Sequence, residues 1–234
     1  MTRPLTLDLH VHTNYSLDGH DTVERIIAVA QARGLDGLAI CDHNTMAGVQ
    51  AARDYVAAHD LKFMIVPGEE VSTAQGHLLL LGLERCIERG MSASETIRAV
   101  RHYERELAQS IVIIAPHPYH PFRNSIGNLC TQPEIEAIEV FNSRYFTGLG
   151  NLRARRTAQR AGKIAVAGSD AHSADCVGLA TVTVDVAADE AARMPDYRAL
   201  VQSLKAGRVR ITAMERTPFC RYLAHLCKKK QRIG

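Results

Sequence analysis

Short apolar runs alternate along the chain with longer segments of helical spacing, the pattern of parallel strands joined by crossover helices. The runs are LTLDLHV (5–11), GLAICD (37–42), KFMIVPG (62–68), HLLLLGL (77–83), IVIIAPH (111–117), AIEVFN (137–142) and IAVAGSD (164–170), with a later pair near TVTVDV (181–186) and RVRITA (208–213). Helices are expected over about 22–34, 46–59, 93–107, 150–161 and 196–206; the first opens at Thr22 with Glu24 two residues on and stops at Gly34. Seven core strands predict an α/β barrel in preference to an open sheet.

A length of 234 residues, 46% hydrophobic and 23% charged, fits one such domain. It is expected to cover residues 1–215. Residues 216–234 are a basic tail, in which apolar positions give way to Lys228, Lys229, Lys230 and Arg232. The tail reads as a terminal helix with a solvated basic end rather than as an anion-binding arm.

The formal net charge of +3 assists an anionic substrate without demanding nucleic acid. No run approaches the roughly 20 apolar residues of a membrane span, and the N-terminus lacks a signal-peptide core, so a soluble cytoplasmic protein is expected. Six cysteines without a C-x-x-C pair suggest free, mostly buried thiols rather than a disulfide framework or a structural zinc motif.

Histidine is the unusual residue, with 11 in the chain. His10 and His12 end the first run, Asp42 and His43 the second, Glu69 the third, His117 the fifth, and Asp170 and His172 the seventh. In a parallel barrel the C-terminal strand ends converge on one face, so these residues become neighbours. Residues two apart in an extended strand point the same way, which aims His10 with His12, and Asp170 with His172, at a common centre. Imidazoles and carboxylates without thiolates suit zinc, manganese or iron, and so many candidate ligands exceed what one ion uses, so two or three divalent ions are expected. Two positions stay open on this reasoning. His77 begins its strand and fits either a ligand or a core histidine; Asp18 fits either a ligand or an Asp-Gly turn, with His20 its rival. His59, His102 and His225 fall in helices, away from strand ends.

The motifs DLHVHTNYSLDG, LAICDHNTMAGV, PGEEVST with GHLLLLG, APHPYHPF and AVAGSDAHS occur in that order over residues 7–173. In this order they resemble the motifs of the polymerase-and-histidinol-phosphatase (PHP) family of metallophosphoesterases. The resemblance implies a distorted (β/α)7 barrel with a trinuclear metal site at the C-terminal strand ends. It implies one ion on His10, His12, Glu69 and Asp170, a second on Glu69, His77 and His117, and a third on Asp18, His43 and His172. Only about 40 residues separate His77 from His117, enough for one helix and a strand, so the helical insertion of larger nucleotide-acting members is absent or minimal.

The activity expected is hydrolysis of a phosphate ester of a nucleotide or small metabolite by metal-activated hydroxide. The ions bridged by Glu69 would generate the nucleophile, and His43 or His172 would protonate the leaving oxygen. Arg123 and Arg144 lie just past strand ends and, with Asn142 offering a further donor, are candidates to hold phosphate. Two other readings are a 5′-to-3′ exonuclease and a non-catalytic, metal-stabilised binding module. Aromatics at 5% and the absence of Trp argue against the first, since single strands are held by stacking. The intact ligand set argues against the second.

Overall fold

The computed structural model describes residues 2–145, 147–187 and 194–223. The basic end of the tail, with Lys228 to Arg232, and His225 lie outside these residues. Nine strands form one sheet: β1 (Thr2–Val11), β2 (Gly37–Ile40), β3 (Met64–Thr73), β4 (Gly76–Leu81), β5 (Val112–Ala115), β6 (Ala137–Asn142), β7 (Ile164–Gly168), β8 (Ala180–Ala187) and β9 (Val209–Met214), in spatial order β7-β6-β5-β4-β3-β2-β1-β8-β9. The helices are α1 (Val23–Ala32), α2 (Ala47–Ala58), α3 (Ala93–Leu107), α4 (Leu149–Ala161) and α5 (Tyr197–Lys205). Ser92 and Glu95 form a reciprocal capping box that starts α3 at the position the spacing predicts.

The first seven strands curl until the chain past β7 meets the end of β1. His12 N donates to Ala171 O (2.8 Å) and Ala171 N to His10 O (3.2 Å), which nearly closes the barrel. β8 runs antiparallel along the first half of β1, and β9 extends the sheet beyond it. One apolar cluster fills the interior, where Leu5, Leu7, Val66, Leu79, Leu81, Val112, Ile114 and Val166 meet Leu200, Val201 and Leu204 of α5. Fully burying such side chains stabilises by about 1.5–3 kcal/mol each.

The barrel is not all-parallel, contrary to the sequence reading. β4 runs antiparallel to both β3 and β5, with Ser72 opposite His77 and Leu81 opposite Val112. The cause is connection length: Ala74 and Gln75 alone separate the paired Thr73 and Gly76, enough for a hairpin and far too short for a parallel crossover. The start of β4 therefore lies at the same end of the barrel as the C-termini of its neighbours, and His77 reaches the face where they converge.

Among the described residues, Cys41, Cys130 and Cys176 are buried free thiols, whereas Cys86 and Cys220 are exposed. No helix among them is long and apolar enough to cross a membrane.

Candidate metal centre

The side-chain alternation along β1 reverses just below the site. Leu5, Leu7 and Leu9 face the barrel interior, whereas Val11 packs outward with α1 residues such as Ile26. Pairing with β2 shifts between Asp8 and Val11, where β1 carries one extra residue. Such a bulge exchanges the faces of all later side chains, and His10 and His12 turn inward above the apolar floor.

β3 keeps its alternation, and this decides which glutamate joins the site. Met64, Val66 and Glu70 share the inner face, while Val71 packs outward. Glu69 therefore does not reach the histidines. Its Oε2 accepts a hydrogen bond from Ile87 N (2.9 Å), and burial pushes its carboxyl up to about 7. The place among the histidines expected for Glu69 is taken by Glu70. Glu70 Oε1 lies 2.8 Å from His77 Nδ1 and 3.0 Å from His117 Nε2, while Oε2 lies 3.3 Å from His10 Nε2, 3.2 Å from His12 Nε2 and 3.4 Å from His43 Nδ1. Each oxygen thus faces a different set of imidazoles. Burial alone would raise its pKa, but His43, His77 and His10 outweigh burial and hold Glu70 well below the usual carboxylate range.

The remaining predicted ligands gather on the same face. Asp18 Oδ2 lies 3.2 Å from His172 Nε2 and 3.7 Å from His43 Nε2, so Asp18 faces the cluster instead of merely serving a turn. Asp170 Oδ1 lies 3.6 Å from His12 Nε2 and 3.3 Å from His172 Nδ1. Three groups of donor atoms are close enough to hold an ion: His12, Asp18, His43 and His172; His10, His12 and Glu70; and His43, Glu70 and His77. His59, at the C-cap of α2, and His102, on α3, lie exposed and away from strand ends, as expected.

The residues fit divalent ions on two counts. The donors are imidazoles and carboxylates with no thiolate among them, the set that zinc, manganese and iron accept. In addition, both ring nitrogens of His12, Nδ1 of His117 and Oδ1 of Asp170 are buried without a hydrogen-bond partner among the described residues. Buried polar atoms are rarely left so, and of these His12 Nε2 and Asp170 Oδ1 face the cluster, where a metal ion would use them.

Beneath the cluster stands a carboxylate that spacing alone did not single out. Glu139, buried on β6, accepts from His10 Nδ1 at Oε1 (3.0 Å) and from His117 N (2.8 Å) and Asn142 Nδ2 (2.9 Å) at Oε2. The contact fixes which nitrogen of His10 points at the centre. Gly168 leaves it room, since a Cβ there would lie 2.5 Å from both Glu139 Oε1 and His10 Cβ.

Both predicted arginines reach the site. Arg123 Nη1 bonds Asp170 Oδ2, and Arg144 Nη1 donates to the His172 ring (2.6 Å) and lies 3.6 Å from Asp170 Oδ1. Burial, with Arg123 nearby, lowers the Arg144 pKa to about 10. Asn142 departs from its predicted substrate role. It is fully buried, its Nδ2 donates to Glu139 and to Asp170 (3.0 Å), and its Oδ1 accepts from Arg144 N (3.0 Å), so it orients carboxylates and presents no donor to a substrate.

With the histidine-carboxylate cluster at the mouth of a seven-stranded barrel in place, comparison with known proteins is decisive: the PHP domain matches residues 8–167, and a PHP-associated region matches 148–209. The chain belongs to the PHP domain family. An uncharacterised protein of Methanocaldococcus jannaschii is 32% identical over 154 residues, 62% of this chain and 85% of that protein. A phosphoribosyl 1,2-cyclic phosphate 1,2-diphosphodiesterase of Eggerthella lenta is 41% identical over 83 residues, 33% of this chain and 30% of that enzyme. A solved two-domain structure from Bacteroides vulgatus, containing a predicted PHP-like metal-dependent phosphoesterase, superposes with a TM-score of 0.71 at 15% identity, covering 91% of this chain and 66% of the other. The match confirms the distorted PHP barrel. The stretch from His77 to His117 is filled by β4, α3 and β5, without an inserted helical unit.

Proposed function

We propose that this chain hydrolyses a phosphate ester of a small metabolite or nucleotide at a two- or three-ion centre. The residues that would hold the ions are His10, His12, Asp18, His43, Glu70, His77, His117, Asp170 and His172. The observation that carries the reading is Glu70: its two carboxylate oxygens face separate imidazole sets, with Arg123 and Arg144 at the rim of the same cluster. Bound divalent ions, whether manganese, zinc or iron, lower the pKa of water and neutralise phosphoryl oxygens.

The chain's own residues orient the ligands and the phosphoryl group. Glu139 and Asn142 hold His10 and Asp170 in place. Arg123 and Arg144 present guanidinium groups suited to phosphoryl oxygens. His43, its side chain 20% exposed against 3% for His172, faces Glu70 with Nδ1 and Asp18 with Nε2, and burial lowers its pKa to about 4, so it serves as an ion ligand and not as the acid that protonates the leaving oxygen. The relative that acts on a phosphoribosyl cyclic phosphate keeps a diester among the candidate substrates beside monoesters.

The test is a panel run on the Mn²⁺-loaded protein: p-nitrophenyl phosphate, its bis-ester, mononucleotides and short RNA. Hydrolysis of at least one small ester, abolished by chelation and by Glu70→Gln, is expected. Tightly bound ions with no hydrolysis of any ester would instead make the chain a binding module, and activity confined to RNA would make it a nuclease.

A further inference from the structure

Past β9 the chain turns back across the face that carries the metal cluster. Thr217 N donates to Ser143 O (2.8 Å), fastening this segment to the turn after β6, immediately before Arg144. Arg221 Nη1 donates to Asp175 O (2.6 Å), fastening it to the loop after β7 that carries His172. Residues 217–222 thus form a strap between the two loops whose side chains complete the site. A cleft under the strap has walls that include Arg144, Asp170, His172, Thr217, Arg221 and Tyr222. The Tyr222 ring covers the Arg144 guanidinium, with Cζ 5.8 Å from the ring centroid.

One atom of the strap lacks what its burial demands. Thr217 is 7% exposed, yet its Oγ1 has no hydrogen-bond partner among the described residues. A buried hydroxyl without a partner is costly, and this one lines a cleft that also holds two guanidinium groups beside the ligands His172 and Asp170. Two cations and a hydroxyl donor are the chemistry of an oxyanion site. The pairing of Arg221 with the Asp175 carboxylate, at 3.7 Å and with Asp175 54% exposed, is weak enough to leave the guanidinium available to a ligand.

We infer that the cleft beneath the strap, about the size of one water, admits one oxygen of the substrate's phosphoryl group, with Thr217 Oγ1 donating to it and the guanidinium groups of Arg221 and Arg144 beside it. The segment after β9 is then a wall of the active site and not a terminal appendage. The inference rests on the phosphoesterase reading above.

Inorganic phosphate is the probe, titrated calorimetrically into the full Mn²⁺-loaded chain and tested as a competitive inhibitor of p-nitrophenyl phosphate hydrolysis. Thr217→Val keeps the shape and removes the hydroxyl; it is expected to weaken phosphate binding about tenfold, as is Arg221→Gln. Thr217→Ser should restore most of the affinity, with manganese content and melting temperature close to wild type in all three variants. Unchanged phosphate affinity in Thr217→Val and Arg221→Gln overturns the inference, as does a Thr217→Ser variant as weak as Thr217→Val, which would point to packing. A wild-type protein that hydrolyses esters without binding phosphate also overturns it, leaving the phosphoesterase reading intact. Absence of hydrolysis on every ester removes that reading first.

Discussion

Glu69 and Glu70 are consecutive in β3 and serve opposite faces of it: Glu70 meets five histidines inside the barrel, and Glu69 accepts a backbone hydrogen bond from Ile87 on the outside. Two carboxylates one residue apart cannot both point inward on a regular strand, because successive side chains alternate.

The pair gives a direct mutational contrast. Glu70→Gln removes one negative oxygen from the centre and should cut both bound manganese and turnover by more than the roughly 10- to 100-fold typical of an outer-shell partner. Glu69→Gln keeps an acceptor for Ile87 N and should leave metal content and kcat within a few-fold of wild type. Metal analysis after dialysis, together with kcat, decides the matter, and equal losses in both variants would return Glu69 to the site.

Glu139 should behave as a positioning residue. Glu139→Gln places an amide between His10 Nδ1 and His117 N, where both partners need an acceptor. Manganese affinity is expected to fall by about 10- to 100-fold. Activity at saturating Mn²⁺ should recover most of its wild-type value, which separates a weakened site from a lost catalytic group. A titration of activity against free Mn²⁺ reads the shift directly.

Far from the site, Glu104 on α3 links helix to sheet. It accepts from Ile111 N (2.6 Å) and Lys205 Nζ (2.7 Å) and pairs with Arg101 (2.6 Å). Burial raises its pKa, but Lys205, Ile111 N and Arg101 together outweigh burial and leave the carboxyl below the usual glutamate value. The pKa is depressed on folding, so the contribution is present above the unfolded-state value and is lost as pH falls through the folded one. Glu104→Gln should destabilise the protein at pH 7 by about 1.5–3 kcal/mol. Urea unfolding at pH 7 and pH 4 should show the gap between wild type and variant narrowing in acid, and a gap independent of pH would mean that the charge contributes nothing.

The sequence by itself determined the order of strands and helices, the family, and most of the centre. His10, His12, His43, His117, Asp170 and His172 were legible because a parallel barrel gathers its C-terminal strand ends, a rule that needs only the position of each residue in its run. The choice between Glu69 and Glu70 was in principle legible too, since Met64, Val66 and Glu70 keep the two-residue period that Glu69 breaks. So was the direction of β4: only eight residues separate the apolar runs 62–68 and 77–83, too few for a crossover.

Other features were decided by tertiary structure alone. The bulge in β1 that turns His10 and His12 inward depends on pairing with β2, which no single strand encodes. Glu139 meets His10 across 129 positions of sequence because β7 curls round to β1, and Asn142 is spent on two carboxylates that the pairing of β6 with β7 brings together. Thr217 reaches the centre through a strap whose course is set by backbone hydrogen bonds to Ser143 and side-chain bonds to Asp175, and local spacing contains no trace of partners so distant along the chain.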